Sequence, residues 1–186
     1  DEVLIPDPYF CMYRDLAKLF GIVPTYYDTY PDFKFRVSEV EKSITSKTKA
    51  IVVGSPSNPT GYAFSEDEIA QIIAVAQKND LWIIFDEIYD TFVYDGVPAS
   101  PFGKYEKTIV LNSFSKSHGA TGWRVGYVVA PTPVVEAMLK IQQYSFVCSP
   151  TPLQAALAKG DLYATPDTLN NYRKKRDFIC DALAGH

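Results

Sequence analysis

The sequence is poor in the residues that build metal centres and disulfide scaffolds. Its 186 residues include two histidines and three widely separated cysteines, Cys11, Cys148 and Cys180. No CxxC pair occurs, which argues against a structural zinc site and against a disulfide framework. Free thiols are usual in a reducing compartment, so we expect a cytoplasmic protein without a metal site.

Excess positive charge and long apolar runs are also lacking. Lysine and arginine total 18 against 22 aspartates and glutamates, for a net charge of -4. This balance provides no electrostatic surface for nucleic acid. No apolar run reaches the roughly 20 residues that a membrane helix requires. With 47% hydrophobic and 14% aromatic residues, the composition predicts one globular domain whose partners are neither nucleic acid nor membrane.

Apolar segments of strand length alternate with amphipathic segments of helix length. One helix is marked by a capping box, Ser65 with Glu68, followed by apolar residues at helical spacing. This alternation predicts an α/β fold with three layers, in which helices cover both faces of a mostly parallel sheet. No linker or repeat divides the chain, so residues 1–186 are predicted to form a single domain. The predicted strands are residues 3–5, 22–27, 50–53, 81–85, 108–111 and 125–130.

Polar residues follow three of these strands. Asn58 comes after strand 50–53, Asp86 and Tyr89 come after strand 81–85, and Ser113 and Lys116 come after strand 108–111. Ligands of open parallel sheets bind beyond the carboxyl ends of the strands. The three strand ends therefore predict one site.

The chemistry of this site centres on Lys116, which lies among hydroxyl residues and glycines with Arg124 eight residues later. No GxxxxGK[ST] pattern occurs, so the lysine is not a typical phosphate-loop residue. As a nucleophile it would form a Schiff base with an aldehyde cofactor. A phosphate on that cofactor would need a separate cation and hydroxyl donors, which Arg124, Ser113 and Ser115 can supply. The interpretation of Lys116 as a nucleophile accounts for more of these residues than that of a phosphate ligand.

Pyridoxal 5'-phosphate is a cofactor with these requirements. It acts as an electron sink while its ring nitrogen is protonated, and Asp86 is the candidate carboxylate that keeps it so. Asn58 and Tyr89 carry an amide and a phenol that suit the cofactor's phenolic oxygen. Phe10 offers an aromatic face that could hold the ring flat.

Four sequence blocks resemble the large, cofactor-binding domain of class I/II aminotransferases, which are fold type I pyridoxal-phosphate enzymes. The blocks are VLIPDPYF at 3–10, SPSNPTG at 55–61, FDEIYDTFVYDG at 85–96 and SFSKSHGATGWRVGY at 113–127. Any one block is weak evidence, and NPTG alone is typical of a turn. All four in order, with the spacing from Lys116 to Arg124 intact, form a specific pattern.

By matching position, the resemblance implies a role for each candidate residue. Lys116 is the Schiff-base lysine and later moves the substrate proton, and Asp86 pairs with the pyridinium nitrogen. Asn58 and Tyr89 bond the phenolic oxygen, whereas Ser113 and Arg124 hold the phosphate. Phe10 replaces the Tyr or Trp more common at the stacking position. Ser149 matches a region that in the family approaches the phosphate of the other subunit, which implies a homodimer.

The resemblance leaves three functions open. The first is an aminotransferase that moves an amino group from an amino acid to a 2-oxo acid, and the block Thr121 to Arg124 looks more like aminotransferases than β-lyases. The second is a C-S or β-lyase of the same fold, because cofactor, lysine and aspartate are shared. The third is a non-catalytic domain that senses the cofactor for a regulator.

Two parts of the family pattern have no counterpart in this sequence. They are an N-terminal segment with further phosphate donors and a C-terminal small domain with an arginine for the substrate carboxylate. We therefore expect the chain to be a fragment. We also expect these 186 residues alone to bind the cofactor weakly or not at all and not to transaminate.

Overall fold

The computed structural model describes residues 1–160 and 166–185 and contains one six-stranded sheet with helices on both faces. The strands are β1 (Glu2–Asp7), β2 (Val23–Asp28), β3 (Thr48–Gly54), β4 (Trp82–Asp86), β5 (Thr108–Ser113) and β6 (Gly126–Val129). The helices are α1 (Cys11–Leu19), α2 (Val37–Ser43), α3 (Glu66–Lys78), α4 (Phe114–Ser117), α5 (Thr132–Ser145), α6 (Thr151–Lys159) and α7 (Pro166–Leu183). Within the described residues, no helix is both long and apolar enough to cross a membrane.

The sheet has the order β2-β1-β3-β4-β5-β6, with the first five strands parallel and β6 antiparallel to β5. The prediction of a mostly parallel α/β sheet is thereby confirmed. Gly54 of β3 pairs with Asp86 of β4, and Asp86 pairs with Leu111 of β5. The carboxyl ends of these three neighbouring strands therefore meet at one edge of the sheet, as a common site requires.

The apolar strands are buried on both faces of the sheet. On one face, Ile51 and Val53 of β3 belong to a large core cluster with Ile69 and Ile72 of α3. On the other face, Val52 belongs to a smaller cluster that includes Ala17 of α1. Burying a side chain such as Ile contributes about 1.5–3 kcal/mol, so this packing holds α3 and the central strands together.

The predicted capping box at the start of α3 is confirmed. The Ser65 hydroxyl accepts a hydrogen bond from the Glu68 backbone N–H at 3.3 Å, and the Glu68 carboxylate accepts from the Ser65 N–H at 2.9 Å. Two backbone donors at the helix N-terminus are thus satisfied locally.

Two features of the elements were not expected from the sequence. The first strand continues beyond residue 5, through Pro6 to Asp7. Pro6 is tolerated because β3 pairs with β1 only as far as Leu4, so that beyond this point the strand has its ladder partner on the β2 side alone. In addition, the short helix α4 begins directly after β5 and contains Lys116. The apolar periodicity did not predict a helix this short.

Candidate active site

A crevice of about 110 Å³ lies at the carboxyl ends of β3 and β4, beside α4. It brings together residues that are far apart in the sequence and that were predicted to share a site. Its lining consists of Phe10, Tyr13, Gly54, Pro56, Asn58, Asp86, Ile88, Tyr89 and Lys116. Of the predicted site residues, Lys116, Asp86, Asn58, Tyr89 and Phe10 line this crevice.

Asp86 is the last residue of β4, and both of its carboxylate oxygens accept hydrogen bonds. Oδ2 accepts from the Tyr13 hydroxyl at 2.7 Å, and Oδ1 accepts from the Ile88 backbone N–H at 3.1 Å. Hydrogen bonds to an ionised acceptor are among the stronger ones in proteins. The carboxylate at the crevice is therefore held at both oxygens.

Tyr13 is the polar residue of the crevice that the sequence interpretation missed. Burial raises the pKa of its phenol far above the usual value, and the charge and hydrogen bond of Asp86 raise this pKa further. The phenol therefore remains a hydrogen-bond donor at physiological pH. The i, i+3 spacing from Phe10 was the available signal, because it places the two rings on one side of α1. The ring centroids are 5.8 Å apart in an edge-to-face arrangement.

Lys116 is half-buried, and its ammonium lies 5.5 Å from the centroid of the Tyr89 ring. This distance is within the range of a cation-π contact, which favours a position of the amine at the crevice. The lysines that precede it along the chain differ, since Lys104 and Lys107 form ion pairs with Glu66 and Asp80. Lys116 is thus the lysine that lines the crevice.

A wider cleft of about 590 Å³ adjoins the crevice and shares Pro56, Asn58, Tyr89 and Lys116 with it. Its other wall includes aromatic residues after β4 and one on α7, namely Phe92, Tyr94 and Tyr172. The sequence interpretation assigned these residues no role in the site.

Helix α7 packs against this aromatic wall. The Phe92 and Tyr172 rings are in edge-to-face contact at 5.1 Å. The Arg173 guanidinium donates a hydrogen bond to the Tyr94 carbonyl oxygen. The Arg176 guanidinium pairs with Asp95 at 3.2 Å. These contacts connect α7 to the segment that directly follows Tyr89.

Ser113 and Arg124 do not line the crevice or the cleft, although both lie close to Lys116 along the chain. The Ser113 hydroxyl oxygen accepts from the Ser115 N–H at 3.0 Å, which leaves its own proton to donate. The exposed Arg124 has a left-handed backbone with φ 55°, and its Nη1 donates to the Thr121 carbonyl at 3.0 Å. The predicted phosphate ligands thus lie beside the crevice rather than in it.

Gly126 determines how closely the segment of Arg124 approaches Ser113. It pairs with Ser113 in the antiparallel ladder of β5 and β6. A Cβ atom at Gly126 would lie 2.8 Å from the Ser113 Cβ and 2.9 Å from the Asn112 carbonyl oxygen. Only glycine therefore permits this pairing, which keeps Arg124, two residues earlier, near the end of β5.

Ser149 lies between α5 and α6, is half-buried and borders neither the crevice nor the cleft. Its carbonyl oxygen accepts a hydrogen bond from the Gln154 side-chain amide at 2.6 Å. The resemblance places Ser149 near the phosphate of a second subunit, and this stays a prediction.

The residues at the crevice fit pyridoxal phosphate by the chemistry of their donors and acceptors. A fixed carboxylate suits a protonated ring nitrogen, an amide and a phenol suit a phenolic oxygen, and a primary amine suits an aldehyde. Gly54 lines the same crevice and adds no side chain to it. Beside the crevice, Ser113 and Arg124 provide a hydroxyl and a guanidinium for a phosphate.

Comparison with known proteins identifies the family of the chain. Residues 1–184 match the family described as aminotransferase class I and II. A putative aminotransferase, YugH, of Bacillus subtilis is 38% identical over 98% of this chain and 50% of its own length. Aromatic-amino-acid aminotransferase 2 of Thermococcus litoralis is 39% identical over 98% of this chain and 50% of its own length.

Solved structures show the same relationship. The aromatic aminotransferase from Pyrococcus horikoshii superposes with a TM-score of 0.93 at 35% identity, over all of this chain and 52% of that one. A double mutant of Thermus thermophilus aspartate aminotransferase gives 0.92 at 29% identity, over all of this chain and 51% of that one. The chain spans about half the length of these relatives. It belongs to the aminotransferase class I and II family and has the fold type I architecture.

Proposed function

We propose that residues 1–186 form the pyridoxal-phosphate-binding part of an aminotransferase that transfers an amino group from an amino acid to a 2-oxo acid. The observation that carries the proposal is the crevice shared by Lys116, Asp86, Asn58, Tyr89 and Phe10. The crevice thus combines a primary amine, a fixed carboxylate, two further polar groups and an aromatic side chain. The family of the chain supports the reaction class.

Asp86 and its neighbours would bind and orient the cofactor ring. The carboxylate, held at both oxygens, keeps a proton on the ring nitrogen. When bound, the cofactor accepts the electrons that remain at the substrate α-carbon after its proton is removed. Asn58 and Tyr89 donate hydrogen bonds to the phenolic oxygen, and Phe10 limits the tilt of the ring.

Lys116 would have two roles in succession. Its amine would hold the cofactor covalently at the aldehyde carbon, and as a free amine it would move a proton at the substrate α-carbon. In the structure, the contact of Nζ with the Tyr89 ring places the amine at the crevice. A flexible four-carbon side chain can accommodate this change of position.

Ser113 and Arg124 would bind the cofactor phosphate. The Ser113 hydroxyl has a proton free to donate, because its oxygen already accepts from the Ser115 N–H. The planar guanidinium of Arg124 can donate two parallel hydrogen bonds to phosphate oxygens. Arg124 is exposed and bonded only to a backbone carbonyl among the contacts of its side chain that the structure describes. It can therefore turn toward a phosphate at little cost.

Covalent attachment at Lys116 is tested by reducing the complete protein with borohydride in the presence of pyridoxal phosphate. The adduct is then mapped by mass spectrometry, and we expect a pyridoxyl group on Lys116. Lys116→Arg should abolish this adduct, whereas the control Lys104→Arg, at an ion-paired surface lysine, should keep it. An adduct of the unaltered chain on Lys104, Lys107 or Lys140 instead would contradict the proposal.

The reaction type is tested with amino acids and 2-oxoglutarate in the complete protein. Transfer of the amino group to the 2-oxo acid is the expected result. Release of ammonia and pyruvate without an acceptor would indicate a lyase instead. Covalent binding at Lys116 with neither reaction would indicate a module that senses the cofactor.

We also propose that the complete protein is a homodimer. Exposed apolar side chains cluster on α5 and the bend that follows it: Leu139, Ile141, Tyr144, Phe146 and Val147. Tyr144 is 92% exposed, which is unusual for a large apolar side chain unless a partner covers it. This surface leads directly to Ser149, the residue expected near a second subunit. Sedimentation equilibrium should give twice the monomer mass, and a monomer at all concentrations would contradict this proposal.

A further inference from the structure

The link between Tyr13 and Asp86 joins the first helix to the end of β4. The Tyr13 hydroxyl donates to Asp86 Oδ2 at 2.7 Å, across 73 residues of sequence. The other oxygen, Oδ1, is bonded to the Ile88 backbone N–H. Tyr13 and Asp86 both line the same crevice as Lys116.

We propose that Tyr13 is a positioning residue that fixes the plane of the Asp86 carboxylate, so that this carboxylate holds the proton on the cofactor ring nitrogen. The inference rests on the proposed function. It assigns Tyr13 no contact with the substrate, because the hydroxyl acts through Asp86.

A single hydrogen bond would not fix this carboxylate. The last side-chain torsion of aspartate has a broad energy minimum, so a carboxylate bonded only at Oδ1 can rotate about the bond to Cβ. A second donor on Oδ2 removes that freedom. Holding a charged group in its productive orientation before the ligand arrives increases affinity, because the ordering cost is already met.

Tyr13 is suited to remain a donor. Burial, followed by the negative charge and hydrogen bond of Asp86, raises the pKa of its phenol, so the hydroxyl keeps its proton. Its ring also packs in the cluster that holds α1 against the sheet. Replacement by phenylalanine keeps this ring packing and removes only the hydroxyl, which separates positioning from the attachment of α1.

The test compares Tyr13→Phe with a matched control, Tyr9→Phe. The Tyr9 ring stacks on Tyr26 with centroids 5.3 Å apart, on the same stretch of chain. Both substitutions are made in the complete protein, and the dissociation constant of pyridoxal phosphate is measured for each variant by titration. The protonation of its ring is measured by NMR of cofactor labelled at the ring nitrogen, a signal that a purely structural role would not move.

Loss of a hydrogen bond to a charged group predicts that Tyr13→Phe raises the dissociation constant by about tenfold. The ring-nitrogen signal should also move toward its unprotonated position. Tyr9→Phe should change neither quantity. If Tyr13→Phe binds the cofactor within about twofold of the unaltered complete protein and its nitrogen signal stays in place, the proposal is wrong.

A double-mutant cycle with Asp86→Ala shows whether Tyr13 acts through Asp86. In the Asp86→Ala background, Tyr13→Phe should have no further effect on the dissociation constant or on the nitrogen signal. An undiminished effect in that background would mean that the hydroxyl acts on the cofactor by another route, which contradicts a positioning role.

A cofactor-free version of the same cycle separates this inference from the proposed function. Failure of borohydride to trap cofactor on Lys116 would count against the proposed function alone. The unaltered protein, Tyr13→Phe, Asp86→Ala and the double variant are compared by their urea unfolding midpoints without cofactor. Removal of the Tyr13 hydroxyl should lower the midpoint when Asp86 is present. The same removal should leave the midpoint unchanged in the Asp86→Ala background. Equal effects of Tyr13→Phe in both backgrounds would overturn the coupling.

Discussion

Replacement of Gly126 by alanine is predicted to weaken the pairing of β5 and β6 and to displace the predicted phosphate ligands. The added Cβ would lie 2.8 Å from the Ser113 Cβ and 2.9 Å from the Asn112 carbonyl oxygen. Neither atom is the end of a flexible side chain, and β5 is held on its other side by β4. The strands must therefore separate locally, at a cost of about 1–3 kcal/mol.

Urea unfolding measures this cost. With a slope of about 2 kcal/mol per molar urea, the midpoint of Gly126→Ala should fall by about 1 M. The matched control is Gly122→Ala in the same stretch of sequence, where an added Cβ would have no atom within 4 Å. That control should remain within about 0.5 kcal/mol of the unaltered chain.

The prediction extends to the cofactor. Because Gly126 pairs with Ser113 and lies two residues after Arg124, Gly126→Ala should also lower the affinity for pyridoxal phosphate, whereas Gly122→Ala should not. Identical urea midpoints for the two alanine variants would refute the reasoning, because they would show that β6 can move away from β5 without cost.

Two further predictions concern the carboxylates at the end of β4. Asp86→Asn should lower transamination by the complete enzyme by more than about tenfold, or about 1.4 kcal/mol in barrier, with little change in the urea midpoint. A smaller loss would mean that another group protonates the ring. Glu87 is half-buried, and burial raises its pKa despite hydrogen bonds from Ser100 and Asn112. Its protonated form therefore stabilises the fold below the ordinary glutamate pKa, and this contribution is lost as pH rises through the raised value. The glutamine of Glu87→Gln does not ionise, so this variant keeps its stability as the pH rises. The difference between its urea midpoint and that of the unaltered chain should therefore increase from about pH 4 to about pH 7. A difference that stays constant with pH would contradict the assignment.

The local pattern of the sequence was enough to predict how strands and the longer helices follow one another along the chain. The apolar run at residues 50–53 predicts a buried strand whether or not its neighbours are known, and the Ser65 and Glu68 box marks a helix start by itself. The same local information places Asp86 and Lys116 just after strands. Since parallel strands end at one edge of a sheet, it was also enough to bring Asp86, Tyr89, Asn58 and Lys116 together.

The role of Tyr13 was not predictable in this way. Its hydroxyl meets Asp86, 73 positions later in the sequence, because α1 packs against one face of the sheet at β3 and β4. Likewise, Pro6 is accepted in β1 because β3 ends its pairing at Leu4. Periodicity reports which face of an element is buried, whereas these contacts depend on which elements become neighbours. The order β2-β1-β3-β4-β5-β6 therefore had to come from the tertiary structure, because packing between distant segments decides it and no local pattern encodes it.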